Sequence, residues 1–163
     1  KAARAESELE VRLLLIQSAG RAGDKKQAGA LEALLKDDSE STRYAAAQAL
    51  CALGVPACAK FAAPLLASKE PSERLSAVML FEGASAKVSA PSLRAALKDE
   101  APRVRARAAR LLAESGDRSQ VAWLVLESAR ADGEAKLVFE DELEKLRVTD
   151  EQRNDVLKKA GLK

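Results

Sequence analysis

The sequence predicts an all-α solenoid of about five stacked helical hairpins, and three observations carry that reading. An arginine returns every thirty-one residues, at Arg12, Arg43, Arg74 and Arg105, with Lys136 continuing the beat. The same beat is kept by Leu35, Leu66 and Leu97, by Ala46, Ala77 and Ala108, and by Leu50, Phe81, Leu112 and Leu143. A fixed period of this length marks a stack of similar units, not one globular core. Within each period apolar residues recur at helical spacing, and no stretch alternates as a strand would.

Read in order, residues 1–163 form one repeat domain. Residues 6–24 are a degenerate first unit with one or two helical segments. The second unit, 25–55, has helices near 25–36 and 40–53, the latter opened by Asp38-Ser39-Glu40, which suits a helix cap. The third, 56–87, has helices near 57–67 and 71–84, with Pro71 in the first turn of the second helix. The fourth, 88–118, is the clearest. Leu93, Ala96 and Leu97 make the apolar side of a helix near 89–98, and Lys98-Asp99-Glu100 breaks it. Pro102 then starts a helix near 102–115, where its missing N–H costs nothing. Val104, Ala108, Leu111 and Leu112 form that helix's apolar stripe, and Gly116 ends it. The fifth unit, 119–149, has helices near 118–130 and 133–147. Residues 150–163 hold a capping helix near 151–160. Gly23, Gly54 and Gly116 share one beat, with Ser85 where another glycine would fall.

The string KDEAPRVRARAARLLAESGD, residues 98–117, resembles the second half of a short bacterial HEAT-like repeat. It shares an acidic turn, a proline, Val-Arg, paired alanines, an aliphatic residue and a closing glycine. DDSESTRYAAAQALCALG, residues 37–54, resembles it too, without the proline. The resemblance covers 25–117 well, and 6–24 and 118–147 weakly. It implies a right-handed stack whose second helices line a concave binding face. It implies a non-enzymatic scaffold or adaptor that binds a protein partner there. Bilin-lyase subunits carry the same short repeat type, so an enzyme-associated subunit is the alternative. HEAT-like DNA glycosylases make a nucleic-acid-binding module a weaker third. In similar proteins the recurring arginine pairs with acidic turn residues; Asp37 and Asp99 are the matching acids here, and Ser68 breaks the series.

Composition excludes much chemistry. There is no histidine, so the usual neutral-pH general base and commonest transition-metal ligand are missing. Two cysteines alone cannot close a structural zinc site. No phosphate-binding glycine loop, dinucleotide fingerprint or nucleophile elbow occurs. No catalytic, cofactor-binding or metal-ligating residue is therefore expected, and the protein is read as not an enzyme. A net charge of +2 is too small to imply nucleic acid. No apolar run is long enough to span a membrane. The run Glu140-Asp141-Glu142 with Glu144 reads as a solvated helix face, or as a site for a cation or basic partner.

The candidate binding residues lie on the second helices. Arg103, Arg107 and Arg110 fall on one helical face. The corresponding positions are Ser72, Ser76 and Met79 in the third unit, Ser41, Ala45 and Gln48 in the second, and Glu134, Val138 and Asp141 in the fifth. The inner surface is thus small and neutral, then basic, then acidic. Residues 88–118 carry seven basic and four acidic side chains; residues 119–163 carry eight and ten. Either these charges neutralise across adjacent helices, or the arginines dock an acidic protein segment. The partner-binding set is Arg103, Arg107, Arg110, Ser72, Ser76, Met79 and Gln48.

Cys51 and Cys58 flank the turn at Gly54 and Pro56 and are a candidate disulfide; free thiols are the other outcome. A bridge would favour an exported protein, free thiols a cytoplasmic one. The chain begins at Lys1 without methionine, as a processed form or a segment of a longer chain would.

Overall fold

The computed structural model describes the backbone of residues 2–162 and side chains from residue 7 to 162. These residues form ten α-helices and no strand. They are α1 (Ala2–Ala22), α2 (Ala28–Leu34), α3 (Glu40–Ala52), α4 (Ala57–Leu66), α5 (Pro71–Met79), α6 (Ala86–Ala96), α7 (Pro102–Glu114), α8 (Ser119–Arg130), α9 (Gly133–Lys145) and α10 (Asp150–Lys159). A 3₁₀ turn, Lys25–Gln27, leads into α2. Hairpins α2–α3, α4–α5, α6–α7 and α8–α9 stack in two layers. One layer holds the first helices α2, α4, α6, α8 and α10; the other holds the second helices α1, α3, α5, α7 and α9. The degenerate first unit is a single long helix, α1, laid against α3 in the second layer. Gly20 permits that approach, because a Cβ there would lie 2.7 Å from the Ala49 Cα.

Local chemistry sets most boundaries where the sequence places them. The Ser39 hydroxyl accepts from the Thr42 N–H and starts α3. Pro71 and Pro102 occupy the first turns of α5 and α7. The third unit departs from the expected pattern. Helix α5 ends at Met79, not near 84, and α6 begins at Ala86, not 89. The chain turns at Gly83, whose φ is +73°, two residues ahead of the beat. Ser85, the position expected for glycine, is instead the extended residue that opens α6.

The arginine ladder clamps each hairpin turn. Arg43 donates to the carbonyls of Asp37 and Asp38, Arg74 to those of Ser68 and Lys69, and Arg105 to those of Asp99 and Glu100. These carbonyls follow the end of each first helix, where helical partners run out. The ladder also reaches forward to the next unit. Arg12 donates to Asp37 and Arg74 to Asp99 at 2.7 Å. Arg43 meets Ser68 at the corresponding place in the sequence, and no ion pair forms there among the described residues. Arg105 lies instead over the Phe139 ring, 5.8 Å from its centre. The turn residues keep one further pattern. Asp37, Ser68 and Asp99 each accept the N–H two residues on.

The core is continuous from Ile16 to Leu112, then gives way to a second cluster built on Ala106, Ala109, Leu124, Val125, Phe139 and Leu143. Helix α7 serves both. Each fully buried Leu or Phe adds about 1.5–3 kcal/mol of burial energy. A disulfide joins Cys51 and Cys58 across the α3–α4 turn, with Cα atoms 5.3 Å apart. Both cysteines are fully buried, although their counterparts in other units are not consistently apolar.

Candidate functional site

The second-helix layer is not evenly closed. Helix α1 packs on α3, α5 on α7, and α7 on α9, but α3 and α5 meet only marginally. A groove of about 300 Å³ opens there, lined by Leu13 and Gln17 of α1, Tyr44 and Gln48 of α3, and Ser76 and Met79 of α5. It continues past Ser72 toward Glu40 and Glu73 at one mouth. Four of the seven candidate residues, Gln48, Ser72, Ser76 and Met79, therefore share one groove. The Ser76 hydroxyl donates to the Ser72 carbonyl within α5, so it presents an acceptor to the groove. Tyr44 stacks edge-on against Phe61, ring centres 5.6 Å apart. Burial first, then the Glu40 and Glu73 carboxylates, push its hydroxyl above the usual tyrosine range, with Arg43 opposing. The floor is neutral and the mouth acidic.

The arginines are elsewhere. Arg103 and Arg107 line a separate groove with Leu75, Leu137 and Val138. Arg110 is a correction to the sequence reading: it is 6% exposed and does not belong to a docking face. Its guanidinium donates to Glu142 at 2.6 Å, Glu82 at 2.7 Å and Glu114 at 2.5 Å. Burial alone would lower its pKa, but the hydrogen bonds to Glu82 and Glu114 and the nearby carboxylate charge raise it. Arg107 also reaches Glu142, at 3.0 Å, and Arg103 pairs with Glu134 at 2.9 Å. Charge neutralisation across adjacent helices is thus what the geometry displays for these three.

The acidic run on α9 divides: Asp141 and Glu144 are exposed, as a solvated face requires, whereas Glu142 is 4% exposed and Glu140 is held by Ser128 and Arg153. Burial would raise the Glu140 pKa, but Ser128, Arg153 and the charge of Lys136 hold it below the ordinary range. Among the described residues no cluster suited to a metal ion exists, and no helix is long and apolar enough to cross a membrane. Leu13, Gln17 and Tyr44 were missed as groove residues. Leu13, Tyr44 and Leu75 stand thirty-one residues apart, so the period itself held the signal.

The profile of the HEAT repeats matches residues 1–82, half of the chain. The chain belongs to the HEAT repeat family. The matched span includes α1, where the sequence resemblance is weak, and stops short of the fourth unit, where it is clearest. No curated protein and no solved structure matches the chain. HEAT repeats commonly serve as protein-interaction scaffolds, and every residue that lines the groove lies within the matched span.

Proposed function

We propose that the protein is a non-catalytic HEAT-repeat scaffold that holds a segment of a protein partner in the groove between α1, α3 and α5. The parting of α3 from α5 carries this reading. It exposes Met79, Gln48 and the Tyr44 ring in a solenoid whose other second helices pack together. The groove favours an apolar or uncharged segment, with a basic residue suited to the Glu40–Glu73 mouth. An acidic segment fits less well, because Arg107 and Arg110 are already occupied by carboxylates. Nucleic acid fits less well for the same reason, since it needs free cations along a track.

The test is affinity capture from the native organism with wild type and with Ser76→Arg/Met79→Arg, followed by identification of retained proteins. The double variant is expected to keep its melting temperature and lose the partner. The wild-type interaction should depend weakly on salt, unlike one built on charge. Retention of the same partner by the double variant sinks the groove as the site.

A further inference from the structure

Helix α1 has two apolar sides. Leu13, Ile16 and Gly20 face α3 and the core. The opposite side carries Ser7, Val11, Leu14 and Ser18 in one line, flanked by Leu15. Val11 is 54% exposed, Leu14 62% and Leu15 66%. In later units the Leu15 place is covered: it stands on the beat of Ala46, Ala77, Ala108 and Phe139, all buried. The Val11 place is covered at Thr42 and Val104 but holds the exposed Glu73 in the third unit. Helix α10 differs at the equivalent place: Asp155 stands on the beat of the buried Leu31, Ala62, Leu93 and Leu124, is exposed, and pairs with Lys159 at 2.6 Å. That face of α10 is charged, whereas the outer face of α1 presents a leucine stripe.

We propose that this stripe is a self-association surface on which α1 of a second copy lies antiparallel. The charges around it are self-complementary. Glu10 and Arg21 are three helical turns apart, so they share one edge of the stripe. A two-fold axis beside Leu15 places Glu10 of each copy opposite Arg21 of the other and sets the Leu14 and Leu15 pairs together at the centre. Small residues, Ser7 and Ser18, flank the leucines and allow close approach. Such an interface is isologous, so it closes at two copies. A single helix pair falls below the roughly 1,200 Å² of stable complexes, so the dimer is weak and dissociable.

Sedimentation equilibrium of the full chain between about 10 μM and about 1 mM, the range where so small an interface operates, tests it. The mass is expected to rise from monomer to dimer. Leu14→Glu/Leu15→Glu should remain monomeric throughout with unchanged helical circular dichroism, since both side chains are exposed. Arg21→Glu should weaken the dimer, and Glu10→Arg/Arg21→Glu should restore it. A wild-type monomer at every concentration overturns the proposal, as does a dimer that survives the leucine variant. Failure of the charge swap to restore association overturns the antiparallel pairing.

Discussion

Arg74 shows what one side chain contributes to this stack. Its side chain is 8% exposed, and the guanidinium spends its donors on two backbone carbonyls, Asp99 and Glu100. Arg12 holds the same register but is 47% exposed and meets Asp37 alone. Removing a buried partner strands the other charge, whereas an exposed pair is screened by water. Arg74→Ala is therefore expected to lower the melting temperature by about 10 °C and Arg12→Ala by under about 3 °C. Equal shifts would refute the difference. Acid should report on the same pair. Burial pushes the Asp99 carboxyl up, but Arg74, the Ala101 N–H and the Arg105 charge hold it below the ordinary range. Its contribution is complete above the unfolded value of about 3.9 and is lost as pH falls through the lower folded one. Asp99→Asn should flatten the stability loss there. The ladder was legible in the sequence because its residues recur. Glu142 was not, because its partners Arg107 and Arg110 lie more than thirty residues upstream and nothing local distinguishes it from Glu140 or Asp141.

At the scale of the helix, boundaries were readable wherever a residue is constrained by its own backbone. Pro71, Pro102 and Ser39 start helices as expected, and Gly54 and Gly116 adopt positive φ at helix ends. The third unit was misread because Gly83 lies off the beat, and a period cannot foresee its own slip. The fifth shows the converse. Arg147 stands one period after Gly116 and takes φ 55°, the only non-glycine among the described residues to do so. The Val148 N–H then closes on the Leu143 carbonyl, the bond that ends such helices. The left-handed conformation strains an arginine by about 1–2 kcal/mol, partly offset by the greater unfolded freedom of glycine. Arg147→Gly is thus expected to stabilise the protein by about 0.5–1 kcal/mol, measured by urea unfolding. No gain, or a loss, would mean that the arginine side chain contributes more than its backbone costs.

Across the whole molecule, two hydrophobic clusters share helix α7, and a buried charge cluster spans the same junction. Arg107 and Arg110 of α7 bind Glu82, in the turn after α5, and Glu142 of α9. The first cluster rests on Val104, Ala108 and Leu112 of α7, the second on Ala106 and Ala109. In a linear stack each unit touches only its neighbours, so cooperativity depends on such junctions. Glu142 is the one carboxylate that holds both arginines from the far side. Glu142→Gln should cost about 3 kcal/mol, the scale of breaking a buried pair. The loss should be local. Hydrogen exchange is expected to show α8, α9 and α10 opening before α3 to α6, whose protection should change little. Uniform loss of protection from α3 to α10 would show instead that the two clusters unfold as one unit and that the charge cluster does not couple them.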